Sequence, residues 1–162
     1  MFNRLFGKEH QRKRALARAA PGPLADYLAT PFPHRHSNFR DLEIVAIDLE
    51  TTGLEPLKDE IVSIGWVLVT RSRVLLASAS HIVIRTGNPM NQSAIVHGLR
   101  DSDLAAGAPL SQALDEFLSA LAGRVLVAHH APLDCSFLDR ACTEIYGVPL
   151  LTRCVDTLEL EK

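Results

Sequence analysis

Cysteine is scarce in this chain of 162 residues, with three in all. Cys135, Cys142 and Cys154 are an odd set without C-x-x-C spacing, so the pattern offers neither a disulfide framework nor a zinc ribbon. Reduced structural thiols are the expectation. Long apolar runs are lacking too: no stretch reaches the length needed to span a bilayer, and the N-terminus has no continuous apolar segment of a secretory signal. These absences point to a cytoplasmic protein without a membrane span. Internal repeats and low-complexity tracts are also missing, which excludes repeat architectures. What remains is an ordinary globular composition, 47% hydrophobic and 22% charged, in a length that suits one domain with a real core.

Charge is unevenly placed. Residues 1–40 hold eight Lys and Arg against Glu9 and Asp26, a net of +6, and the chain's total of -2 leaves the remainder at -8. The expected organisation is a basic leader with a Pro-rich linker over 1–40, followed by a domain over 41–162. Pro21, Pro23, Pro31 and Pro33, with Gly22, read as a linker or an extended strap. The basic residues fit a solvated helix or frayed terminus, and phosphate binding is the alternative.

The rest is organised around residues 43–70, EIVAIDLETTGLEPLKDEIVSIGWVLVT. Ile44, Val45, Ala46 and Ile47 form a β-branched apolar run, as in a strand covered on both faces, and Asp48 interrupts it. Side chains alternate along a strand, so Asp48 and Glu50 project from one face. Two carboxylates that close repel unless a cation sits between them. Oxygen ligands alone suit a hard divalent ion, Mg2+ or Mn2+. Thr51, Thr52 and Gly53 then leave the strand with hydroxyls and a flexible backbone whose N–H groups can approach a ligand. A bare D-x-E fits a turn as well as it fits a ligand site.

Periodicity supplies the other elements. Residues 60–70 and 74–85 read as strands two and three of an antiparallel meander. Residues 89–106 are mixed and hold a short helix. Leu110, Ala113, Leu114, Phe117, Leu118 and Leu121 recur at helical spacing, with a stop near Gly123. Val125 to Ala128 is a buried fourth strand, Asp134 to Tyr146 a helix stopped by Gly147, and Leu151 to Val155 a fifth strand. The pattern is α/β, a mixed sheet with helices on its faces. A right-handed crossover lets strand four lie beside strand one, which brings Asp134 toward Asp48 and Glu50. Asp134 can also simply cap its helix.

The run D-L-E-T-T-G-L at 48–54 resembles the first motif of the DEDD superfamily of 3'-5' exonucleases. That group includes the proofreading epsilon subunit of bacterial replicative polymerase and ribonucleases such as oligoribonuclease. Residues 128–138, A-H-H-A-P-L-D-C-S-F-L, resemble its second motif, A-H-N-A-x-F-D, with His130 in place of Asn and Leu133 in place of Phe. I-V-H-G-L-R at 95–100, containing His97, is similar to I-H-G-I-T of the epsilon-like branch. R-C-V-D-T-L at 153–158 is similar to the family's fifth strand, where Asp156 caps the following helix.

The resemblance implies a ribonuclease H-like sheet of order 3-2-1-4-5 and two-metal phosphodiester hydrolysis. Two divalent ions about 4 Å apart would be held by Asp48, Glu50 and Asp134. Thr51, Thr52, Gly53 and Leu54 would contact the terminal nucleotide, and His130 would lie near the substrate. The implied partners are a single-stranded DNA or RNA 3' end and a DNA polymerase subunit. DNA and RNA are not separated by these motifs. A non-catalytic nucleic-acid-binding module of the same fold, or an oligoribonuclease-like enzyme, are the other readings. The family also uses a fourth Asp, five residues after a general-base His, on a helix beyond strand five. His129 and Asp134 have that spacing but belong to the strand-four motif. The expectation is therefore poor turnover or none by this chain alone, as a piece of a longer active exonuclease.

Overall fold

The computed structural model describes residues 3–34, 36–86 and 104–160. Three strands, β1 (Glu43–Thr51), β2 (Ile61–Thr70) and β3 (Arg73–Val83), form the antiparallel meander. On the other side of β1, β4 (Val125–Ala128) pairs parallel, with Ala46 opposite Val127, and β5 (Cys154–Asp156) pairs parallel with β4. The sheet order is β3-β2-β1-β4-β5, the ribonuclease H-like arrangement. β1 runs on past the apolar stretch that Asp48 interrupts. It continues to Thr51, where a bulge after Glu50 ends its regular pairing with β2.

Helices supply the other half of the core. With α1 (Asn3–Leu16) and α2 (Pro23–Ala29) at the N-terminus, the helix α3 (Leu110–Leu121) buries the predicted stripe Ala113, Leu114, Phe117, Leu118 and Leu121. Trp66 of β2 meets Phe117 edge-on, with ring centroids 5.8 Å apart. α4 (Ala131–Tyr146) buries Phe137, Leu138, Ala141 and Cys142, and Gly147 closes it at φ 70, a left-handed cap that favours glycine. This helix begins three residues before Asp134, because Pro132 in the first turn lacks only an N–H that the helix leaves unpaired anyway. A last turn, α5 (Thr157–Leu160), follows β5. His97 and most of the segment expected to hold a short helix lie outside the described residues. Among the described residues no helix is long and apolar enough to cross a membrane.

The N-terminal residues correct the linker reading. Residues 23–29 are a helix, since Pro23 occupies its first turn, and Leu24, Tyr27 and Leu28 are buried in the core to 1%, 2% and 0% exposure. α2 packs on both α1 and α3. Polar contacts fasten the segment: Tyr27 O–H donates to the Leu151 carbonyl at 2.8 Å, Lys8 Nζ donates to the Thr152 carbonyl at 2.7 Å, and Arg12 donates to the Leu28 carbonyl. The guanidinium groups of Arg12 and Arg153 each lie over the Phe32 ring, 6.0 Å from its centre. These contacts explain why β5 starts at Cys154 and not at Leu151: two carbonyls of the approach are already taken by α1 and α2.

Candidate functional site

The parallel pairing of β1 and β4 sets their C-terminal ends side by side. At the end of β1, Asp48 stands opposite Gly65 and Glu50 opposite Ser63, just before the bulge. Asp48 is exposed and Glu50 half-buried. At the end of β4, His130 adopts the left-handed conformation (φ 68, ψ 48), which turns the chain directly into α4. Asp134 lies in the first turn of that helix and is half-buried. Its carboxyl is pushed up to about 6, first by burial and then by the negative charge of Asp48, while its own backbone N–H and His130 pull the other way. Asp48 and Asp134, distant in sequence, therefore share one electrostatic environment.

That pair fits a hard cation: both donors are carboxylate oxygens, and a positive charge between them removes the repulsion. Glu50 follows two residues after Asp48, on the same strand face. Among the described residues, no group of three or more His, Cys, Asp or Glu side chains is gathered closely enough to hold a metal ion.

The turn after β1 is built around Asp59. Its Oδ2 accepts Glu55 N–H at 2.8 Å and its Oδ1 accepts Thr52 O–H at 3.4 Å, while Thr52 Oγ1 accepts Glu60 N–H at 2.9 Å. Thr51 O–H donates to the Gly53 carbonyl at 2.6 Å. A Cβ at position 53 would lie 2.6 Å from Asp59 Cγ, so only glycine admits this carboxylate. Arg140 of α4 clamps the same turn through the carbonyls of Pro56 and Asp59, the latter at 3.0 Å. Leu54, predicted to meet a base, is 75% exposed at the tip, and the neighbouring Leu57 is 89% exposed.

Asp156 closes the opposite side. Its Oδ1 accepts the backbone N–H of His130 at 2.9 Å and that of Leu158 at 3.0 Å, so it caps α5 as expected and also holds the turn out of β4. His129 Nδ1 lies 3.0 Å from Thr157 Oγ1, which places this histidine against β5 and α5. Asp48, His130 and Asp156 all act electrostatically on Asp134. Thr51, Thr52, Gly53 and Leu54 follow Asp48 and Glu50 in the turn. Asp59 and Arg140 carry no motif of their own, and their contacts became visible only in the fold.

The exonuclease family matches residues 45–162. PolC-type DNA polymerase III of Thermotoga maritima is 32% identical over 127 residues, covering 78% of this chain and 9% of that protein. A DNA polymerase III subunit epsilon-like protein of Rhodobacter capsulatus is 36% identical over 101 residues, covering 61% of this chain and 14% of that protein. The chain thus spans only a small part of the length of these relatives. Among solved structures, the metal-free form of the E. coli ExoI-ssDNA complex superposes with a TM-score of 0.66 at 11% identity, over 75% of this chain and 29% of that one. Exonuclease I of Methylocaldum szegediense gives 0.62 at 10%, over 74% and 28%. At such identities the likeness is one of fold. With the sheet order, both motifs and the family match in agreement, the chain belongs to the exonuclease family, the DEDD group that its motifs resemble.

Proposed function

We propose that this chain carries a metal-dependent 3'-5' exonuclease site of the epsilon-like kind, acting on single-stranded DNA ends. The observation that carries the reading is the approach of Asp48 and Asp134 at the adjoining ends of β1 and β4. Asp48, Glu50 and Asp134 would hold two Mg2+ or Mn2+ ions. Bound there, the ions would supply Lewis acidity and a template for the attacking and leaving oxygens. The protein's own part is placement. The turn held by Asp59 and Arg140 presents Thr51, Thr52 and Gly53 to the terminal nucleotide, with backbone N–H groups for phosphate and Leu54 for the base. His130, at the turn into α4, would lie near the substrate. The polymerase relatives favour a DNA polymerase as partner and DNA over RNA as substrate.

The test is a single-stranded DNA oligomer and its RNA counterpart, each 5'-labelled, incubated with the protein and Mn2+. A faint, slowly developing ladder that shortens from the 3' end of DNA, and disappears in Asp48→Ala, is the expected result. Cleavage from the 5' end would overturn the reading, and tight binding without any metal-dependent cleavage would favour a non-catalytic binding module.

A further inference from the structure

Cys154 and Asp156 are two residues apart on β5 and share one face of the strand. Asp156 reaches the start of α4 through the His130 N–H, so that face looks toward α4. Cys135 is in the early part of α4, the helix that packs against β5. Both line an open cavity of about 440 Å³, together with Lys8, Ser136, Asp139 and Thr152. Lys8 is pinned there by its 2.7 Å bond to the Thr152 carbonyl. Cys154 is exposed and Cys135 half-buried, whereas Cys142, the third cysteine, is fully buried. Oxidant from solvent therefore meets Cys154 first, beside a lysine ammonium, with a second thiol behind it and the remaining one out of reach.

We propose that Cys135 and Cys154 form a reversible thiol–disulfide pair that a peroxide closes. The Cys154 sulfur attacks one peroxide oxygen; an S–O bond forms as the O–O bond breaks, and the departing hydroxide leaves as water with the thiol proton. The Cys135 sulfur then displaces the new hydroxyl from Cys154, forming the S–S bond and releasing a second water. Two thiols lose two electrons in all, and one peroxide gains them. A small dithiol reverses the change by exchange. The two positions are a residue away from Asp134 and two from Asp156, so the bond ties α4 to β5 beside the candidate site. If the nuclease reading holds, oxidation also alters turnover, but the chemical test does not depend on that reading.

The test is peroxide treatment of the full chain under non-denaturing conditions, alkylation of remaining thiols, and mass spectrometry. The expected product is a monomer lighter by two hydrogens, with one linked peptide joining Cys135 to Cys154, Cys142 alkylated after unfolding, and full recovery with dithiothreitol. Cys135→Ser should instead accumulate one oxygen on Cys154 or a disulfide-linked dimer, and Cys154→Ser should show neither. A wild-type chain that gains oxygen at Cys154 without a linked peptide would overturn the proposal. So would a link involving Cys142, or two thiols left unmodified while free cysteine in the same tube is oxidised. Circular dichroism of both serine variants separates misfolding from lost chemistry. If oxidation forms the link yet leaves nuclease activity unchanged, the pair stands and its effect on the site does not.

Discussion

Asp156 accepts the backbone N–H of His130 at 2.9 Å, joining the end of β5 to the turn out of β4 across 26 positions of sequence. The carboxyl is held below its ordinary range: burial opposes this, but the N–H groups of His130, Ala131 and Leu158 outweigh it. A depressed folded-state value means that the contribution is present above the unfolded value and lost as pH falls through the folded one. Asp156→Ala should therefore lower the melting temperature at pH 7, with the gap narrowing below about pH 4. Asp156→Asn keeps an acceptor oxygen and should recover much of the loss. Equal melting temperatures for all three proteins would count against a holding role.

Asp134 has the opposite sign. Its carboxyl is pushed up to about 6 by burial and Asp48, so the folded protein without metal holds more protons than the unfolded chain between about pH 4 and 6. Stability without metal should fall as pH rises through that window. Asp134→Asn should flatten the curve and gain about 1 kcal/mol at pH 8 in EDTA, after allowance for solvent screening, with no gain at pH 4. Urea unfolding across the window measures it, and parallel curves for the two proteins would refute the assignment.

The N-terminal helices should be needed for stability. Leu28 is fully buried, so Leu28→Ala is expected to cost about 2–5 kcal/mol. Tyr27→Phe loses the bond to the Leu151 carbonyl and should cost about 1 kcal/mol. Removal of residues 1–38 should lower the melting temperature sharply; an unchanged transition would restore the reading of a separable leader.

Gly53→Ala would press on Asp59, whose oxygens hold Glu55 and Thr52. Binding of a single-stranded oligomer should weaken while Mn2+ affinity changes little, since Asp48 and Glu50 precede the turn. Anisotropy with labelled DNA checks the first and calorimetry the second. Loss of both together would place the turn in the metal site itself.

Much of this arrangement is local, and local features are what a sequence displays. The β-branched run Ile44 to Ile47 and the helical stripe Leu110 to Leu121 each announce their period, so the elements and their order were readable. Asp48, Glu50 and Asp134 stand out in the sequence because each sits in a short motif at an element's end. α2 falls in the stretch read as a linker or strap because prolines usually interrupt structure, yet Pro23 sits in a first turn where its missing N–H is harmless. The spacing of Leu24, Tyr27 and Leu28 is helical, the signal that marks α2 in the sequence. Arg140 could not be anticipated: its acceptors are backbone carbonyls 84 and 81 residues away, and a carbonyl carries no signature of residue type.

The central claim is that Asp48, Glu50 and Asp134 form one divalent-metal site. Calorimetric titration of Mn2+ into the wild-type chain at neutral pH, repeated with Asp48→Ala and Asp134→Ala, tests it most directly. The account predicts saturable binding to the wild type that each substitution weakens strongly. Unchanged affinity in both variants would contradict it.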